Sequence, residues 1–356
     1  MGFGQFIGNS EAVSTLRRML ANDCVPGSML FSGTDGAGKK TLAKMLAMGI
    51  SCARMKDDFC GKCPQCLKTQ EMLSMSQEDL ARRRGIKDAS RRTEGLVYFD
   101  VQLIEPITRY ILTEQIRQLR AVAYTRPFEL PARVFIVEQA QAIHWQAADL
   151  LLKVMEEPPP TTFIILICSN PGELRATIRS RCYRLPFAPA DDVLIERLLA
   201  EEKHLTAAEL ALALRVAGGS IAAAKSLDLA EFQRRRKPWV DYLNAITSSS
   251  VRSASAADWK ALFEASKALA ENRNDLEGII KLGYLLLSDM LRALESASRA
   301  GIVNLDLEPR LKVWASKLGR EGIERLKNGL DEARRLETRN VNQQLGWDVL
   351  GIGARP

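Results

Sequence analysis

Val134-Phe135-Ile136-Val137-Glu138-Gln139 opens the stretch that decides the fold, which runs on through Leu151-Leu152-Lys153-Val154-Met155-Glu156-Glu157-Pro158-Pro159-Pro160 to Ser180-Arg181-Cys182. Val134 to Val137 is β-branched and aromatic, and short enough for a strand covered on both faces, as in a parallel sheet. Ala147, Leu150, Leu151, Val154 and Met155 then recur at three- and four-residue spacing, which places them on one face of a helix. The residue before a proline is driven out of helical torsions, so the spacing predicts a stop at or near Glu157. Phe163 to Ile167 makes a second buried strand, and Ser169-Asn170-Pro171 opens a loop that leads through Leu174 and Ile178 to Arg179-Ser180-Arg181-Cys182. Strand, amphipathic helix, strand and arginine turn in succession imply an α/β architecture.

Outward from this stretch, Met29 to Ser32 reads as another short apolar strand, preceded by a helix carrying Ala12, Leu16 and Leu20. It runs into Gly33-Thr34-Asp35-Gly36-Ala37-Gly38-Lys39-Lys40-Thr41 and a helix with Leu42, Met45 and Leu46. Strand, glycine-rich loop and helix are the context of a P-loop, in which Gly33, Gly36 and Gly38 let backbone N–H groups turn inward around phosphates while Lys39 reaches the outer ones. The next residue should be Ser or Thr, whose hydroxyl holds Mg²⁺, but it is Lys40; a second ammonium repels the metal. Thr41 comes one place later, a rotation of roughly 100° on a helix. The loop reads as a structural phosphate-type loop, with nucleotide binding left open and hydrolysis disfavoured. After the Val134–Val137 strand, a hydrolysing site needs Asp then Glu, the second to activate water. Here Glu138 and Gln139 stand there, and a neutral Gln139 cannot accept a proton. A variant ATPase with shifted ligands would need both departures to be compensated.

Cys52, Cys60, Cys63 and Cys66 are four of seven cysteines and lie within fifteen residues. Four thiolates at this spacing suit a closed tetrahedral zinc site; an iron–sulfur cluster and a reduced, metal-free cluster are the rivals. Cys24 and Cys168, each alone in sequence, are expected to pack as small apolar residues. The excess of Lys and Arg over Asp and Glu is seven and the pI is about 9.0, which is mildly basic. That fits contact with nucleic acid and a solvated basic surface equally. The 356 residues suggest two or three domains. With no apolar run of eighteen residues and no signal-peptide layout, the chain is expected to be soluble and cytoplasmic, with no membrane association.

The helix ending Leu151-Leu152-Lys153-Val154-Met155-Glu156-Glu157-Pro158-Pro159, the apolar strand after it and Ser180-Arg181-Cys182 resemble the clamp-loader subunits of bacterial DNA polymerase III, which are AAA+ proteins. The resemblance implies an α/β AAA+ P-loop domain with an inserted zinc module, a small helical lid and an all-α collar. The expected boundaries are 1–187, 188–236 and 237–356, with the zinc module at about 52–66. It further implies that Arg181 is an arginine finger acting in trans on ATP held by a neighbouring subunit. A guanidinium suits that role, being always charged and presenting a planar fork of donors. Active relatives keep a nucleotide-sensing arginine where this chain has Ala222. With Lys40 and Glu138-Gln139, that places the chain with the non-hydrolysing delta-prime branch, not catalytic alone. Its expected partners are gamma/tau and delta subunits, and through them a sliding clamp and primed DNA. The rivals are a gamma/tau-like ATP-hydrolysing motor and a stand-alone DNA-binding AAA+ protein.

Ser74 to Thr93 departs from the family pattern. It carries Arg82, Arg83, Arg84, Lys87, Arg91 and Arg92 without a sustained hydrophobic period. It reads as an insertion, either a solvated loop or a DNA-contacting basic loop, before a strand at Leu96 to Val101. Leu112, Ile116, Leu119 and Val122 mark a helix. Phe187 to Asp192 reads as a hinge, and Arg234-Arg235-Arg236-Lys237-Pro238 as a solvated link. From Trp239 on the pattern is helical, with amphipathic stretches near Tyr242–Ile246, Phe263–Leu269, Ile279–Leu294 and Leu311–Leu336. Arg339 to Leu345 resembles a terminal collar motif of the delta-prime branch. The two histidines, His144 and His204, are far apart in sequence.

Overall fold

A computed structural model describes residues 2–202, 205–271, 275–295, 301–336 and 342–355. The chain divides into two compact units, Met1–Ile195 with Gly219–Ala222, and Glu196–Gly218 with Ala223–Pro356.

The first unit is built on a five-stranded, all-parallel sheet of β1 (Ser28–Gly33), β2 (Val101–Ile104), β3 (Arg133–Val137), β4 (Thr162–Cys168) and β5 (Tyr183–Phe187), in the order β2-β3-β4-β1-β5. Its helices are α1 (Ser10–Ala21), α2 (Lys39–Ser51), α3 (Pro64–Arg84), α4 (Thr113–Ala123), α5 (Trp145–Glu156) and α6 (Ala176–Arg179). Parallel strands need crossovers, and helices on both faces explain why β3 and β4 read as near-continuous apolar runs. One layer packs Leu16, Leu42, Leu46, Ile136 and Ile165 together, and the other packs Leu119, Phe135, Leu151, Val154 and Leu166. Each fully buried Leu, Ile or Val of such a layer contributes about 1.5–3 kcal/mol. α5 ends at Glu156 with Glu157 as its cap, where Pro158 forbids another turn.

The second unit is helical. α7 (Asp192–Glu202) leads into it, followed by α8 (Ala207–Ala217), α9 (Ile221–Ser226), α10 (Leu229–Thr247), α11 (Ala256–Glu271), α12 (Leu276–Glu295), α13 (Glu308–Leu336), which is broken at Gly319 (φ 61°), and α14 (Gln343–Ala354). Trp239, Tyr242, Leu287, Met290, Trp314 and Trp347 share its core, where Trp239 meets Tyr242 and Trp347 edge-on at 5.7 and 5.5 Å. No described helix is long and apolar enough to cross a membrane.

Several sequence expectations need correction. Ser74 to Thr93 is not a loop, because α3 continues from the cysteine segment to Arg84 and a short 3-10 turn covers Ala89–Thr93. The buried positions Cys66, Thr69, Met72, Leu73, Ser76, Leu80 and Arg83 keep a helical spacing, but three of the seven are polar and so escape an apolar count. Ser76 Oγ donates to Leu103 O at 3.2 Å and accepts from Leu103 N at 2.9 Å, which satisfies the outer edge of β2. Arg83 is buried, pairs with Asp79 and donates to the carbonyls of Arg92, Glu94 and Gly95. The strand expected at Leu96 to Val101 begins only at Val101.

Arg234 to Pro238 is no link but the interior of α10, and Arg236 is buried against Asn304 and Asp306. Cys24 is exposed, whereas Cys168 is buried as expected. Strand β5, which pairs with β1 from Met29↔Tyr183 to Gly33↔Phe187, was missed because only Leu185 and Phe187 of its five residues are buried. His204 and Arg339 to Val341 lie outside the described residues; Asn342 caps α14 by accepting from Leu345 N.

Candidate functional site at the strand ends

The C-terminal ends of the parallel strands gather the glycine loop and Glu138, whereas Arg181 precedes β5 and the four cysteines lie between the end of α2 and the first turn of α3. β1 delivers the chain into the glycine loop, which closes on Gly38 and starts α2 at Lys39. Gly33 adopts φ 143° against the carbonyl of Phe187, where a side chain would collide with that oxygen. At Gly36 (φ 75°) a methyl group would strike Ser220 Oγ, and Ala222 N donates to Gly36 O at 3.3 Å. The segment Gly219–Ala222 therefore lies directly on the loop apex. Lys39 is buried, and its ammonium turns back onto the loop's own carbonyls, Gly33 O at 2.5 Å and Thr34 O at 2.7 Å. Burial lowers its pKa, against the opposing pull of Asp35. Thr41 is exposed.

Lys40 makes the decisive contacts. Its Nζ lies 2.5 Å from Glu105 Oε1 and 2.6 Å from Glu138 Oε2, between the ends of β2 and β3. Arg84, the last residue of α3, holds the other Glu105 oxygen at 2.7 Å and Pro106 O at 3.1 Å. Burial opposes the charge on Lys40, but hydrogen bonds to Glu105 and Glu138 outweigh it and raise its pKa. Burial also opposes ionisation of Glu105, yet hydrogen bonds from Glu138, Lys40 and Arg84 hold its carboxyl down at about 2. Glu138 moves the other way, pushed up by burial and by Glu105. The pair thus favours a charged Glu105 and a less acidic Glu138. Gln139 is exposed and left-handed at φ 53°. This arrangement does not fit Mg²⁺, since an ammonium stands between the carboxylates that would face the ion.

Glu105 and Arg84 were missed in the sequence. The signal was there: Glu105 follows β2 as Glu138 follows β3, and Ile104 pairs with Val137. Placing the strand too early moved its end away from Glu105.

Arg181 follows α6 and leads into β5. Its Nη2 pairs with Glu156 Oε1 at 2.7 Å, its Nη1 donates to Thr177 O at 3.0 Å, and the side chain is 37% exposed. Arg179 instead donates to Pro171 O at 2.9 Å.

The sulfur atoms of Cys52, Cys60, Cys63 and Cys66 all lie within 4.8 Å of one another. Cys52 caps the end of α2 and Cys63 caps the start of α3; Cys60 Sγ accepts from Cys63 N at 3.3 Å and Cys63 Sγ from Cys66 N at 3.5 Å. Burial opposes the Cys63 thiolate, but the N–H groups of Cys66 and Ala53 outweigh it and bring its pKa to about 6, whereas burial drives Cys66 up to about 12. Four sulfurs gathered within 4.8 Å of one another suit a tetrahedral zinc ion, which would need each thiol deprotonated. The segment is tied down by Asp58, which accepts from Phe3 N at 2.9 Å and Phe59 N at 2.8 Å.

A family model described as DNA polymerase III, delta subunit matches residues 8–191, slightly more than half of the chain. Among curated relatives, the chain is 28% identical to DNA polymerase III subunit delta' of Bacillus subtilis over 192 residues, covering 54% of this chain and 51% of that one. It is 27% identical over 202 residues to subunit gamma/tau of Mycoplasma genitalium, covering 56% and 29%. With subunit gamma/tau of Mycobacterium bovis it shares 24% over 360 residues, covering 93% and 58%. In each case the chain spans less than two thirds of the relative's own length. With a family-model match across the sheet, the thiol cluster and the strand-end cluster, the chain belongs to the DNA polymerase III, delta subunit family of clamp-loader AAA+ proteins.

Proposed function

We propose that the chain is the delta-prime-type stator of a bacterial clamp loader: a cytoplasmic, non-hydrolysing subunit that joins gamma/tau and delta subunits and helps place a sliding clamp on primed DNA. The observation that carries this reading is Lys40 Nζ seated between Glu105 and Glu138, where a hydrolysing site needs a divalent ion. Gln139 adds the loss of a base, and Lys39 is engaged by its own loop. The parts of this reading are an AAA+ domain with a zinc-pinned module, a lid and a helical collar that assembles the complex.

Arg181 is then the residue that acts, on a neighbour's ATP. Its present partner, Glu156, offers a carboxylate oxygen; a terminal phosphate offers the same planar fork more charge. Such a finger, given in trans, is worth about 10³–10⁵ in rate. The test is the DNA- and clamp-stimulated ATPase rate of a complex reconstituted with gamma/tau and delta subunits, comparing Arg181→Ala with the unaltered chain. A large loss of rate with assembly intact is expected; an unchanged rate refutes the finger.

The alignment with gamma/tau over most of this chain favours a second reading, an ATP-hydrolysing motor. Mg²⁺-dependent ATP turnover by the isolated chain would establish it.

A further inference from the structure

We infer that Lys40 is a tethered cation that takes the place of a divalent ion and permanently locks together the glycine-loop helix α2, the ends of β2 and β3, and the end of α3. The inference rests on the non-hydrolysing reading of the site and adds a function to what that reading treats only as a loss.

Four charged groups from four elements meet here. Lys40 bridges Glu105 and Glu138 at 2.5 and 2.6 Å, and Arg84 closes on the second oxygen of Glu105 at 2.7 Å. Glu105 is buried, with a side chain 11% exposed, so its charge is retained only because two cations and the Glu138 carboxyl serve it. A metal ion held between two carboxylates is exchangeable and depends on its concentration in solution. An ammonium on a lysine side chain cannot leave. The cluster has no room for further positive charge: Lys40 and Arg84 contact the two carboxyl groups, Lys44 one turn along α2 adds its field to theirs, and a divalent ion added to them would meet Lys40 head-on. The same lock explains the otherwise costly burial of charge at a site with no turnover to perform. It fixes the relative position of the loop and the strand ends whether or not nucleotide is present.

The test replaces the tethered cation with the residue that a metal site would carry. Lys40→Thr removes the ammonium, leaves Glu105 and Glu138 facing each other, and supplies a hydroxyl ligand. Thermal unfolding of the full chain is followed with and without millimolar Mn²⁺ or Mg²⁺, against NaCl of equal ionic strength. The expected result is a melting temperature that falls by several degrees in Lys40→Thr and is recovered by the divalent ion but not by NaCl, while the unaltered chain does not respond. Lys40→Met, which has no ligand atom, should fall as far and respond less.

A Lys40→Thr chain as stable as the original, or one destabilised but indifferent to divalent ions, overturns the inference. So does recovery by NaCl alone. If Lys40→Thr does not fold by itself, refolding in Mn²⁺ decides: folding only with the ion supports the lock, and failure in both conditions refutes it. The stator reading fails separately, through Arg181→Ala or through ATP turnover by the unaltered chain.

Discussion

Glu105 and Glu138 stand side by side at the ends of neighbouring parallel strands, because Glu138 donates its backbone N–H to Ile104 O at 2.9 Å and Ile104 pairs with Val137. Two carboxyl groups so placed cannot share one environment equally. Lys40 and Arg84 converge on Glu105, while Glu138 pairs with Lys40.

Glu105→Gln should therefore cost more than Glu138→Gln. Losing the charge of buried Glu105 leaves half-exposed Arg84 and third-exposed Lys40 short of a partner, a cost of about 1 kcal/mol after solvent screening. Glu138 already resists ionisation, so its amide replacement gives up less. Urea unfolding of both variants measures the difference, and a larger loss for Glu138→Gln would sink the assignment.

The same pair sets an acid limb. The Glu105 carboxyl is held at about 2, below its ordinary 4.5, so the unfolded chain takes up its proton first as pH falls. Its stabilisation is complete above about 4.5 and is lost as pH drops towards about 2. Glu138, shifted up, works with the opposite sign. The measurement is best made in a Glu138→Gln background, where the amide still donates to Glu105. Stability there should fall with pH below 4.5, and adding Glu105→Gln should flatten the slope; an unchanged slope would contradict the assignment.

Metal analysis of the purified chain should find a single zinc ion bound by Cys52, Cys60, Cys63 and Cys66. Cys66→Ser, at the most enclosed of the four sulfurs, should abolish it and lower the melting temperature as a strong chelator does. Iron with acid-labile sulfide in its place would replace zinc with a cluster.

In the helical unit, Arg236→Met should destabilise by about 2–3 kcal/mol, below the ~3–5 of a fully buried pair because Asp306 is a third exposed. Arg236→Lys should recover only part of this, since Arg236 reaches Asn304 and both Asp306 oxygens with its fork. Full recovery by lysine in chemical unfolding would show that charge alone matters there.

Legibility in the sequence followed the chemistry of each element. Strands β1, β3 and β4 were readable because they are covered on both faces, and α5 because Pro158 punctuates it. The edges were not: β5 hides behind exposed Tyr183 and Arg184, and β2 follows an apolar run, Leu96 to Phe99, that forms no ladder. Polar residues on a buried stripe concealed α3, as Arg236 concealed the continuity of α10. At the site, Lys40 and Gln139 announced that something was missing. That Lys40 was itself a structural cation depended on Glu105, 65 residues away in sequence, and only the strand register brings them together.

Helix α3, capped by Cys63, runs from Pro64 to Arg84, a rod of 21 residues and about 30 Å from tip to tip. One tip belongs to the thiol cluster and the other grips Glu105. A helix transmits rotation as well as length, and a slip of one residue at the cysteine end would turn Arg84 by roughly 100° away from its carboxylate. The thiol cluster is thus the anchor of a torsion bar: whatever fixes the sulfurs also sets the aim of a guanidinium at the far side of the domain.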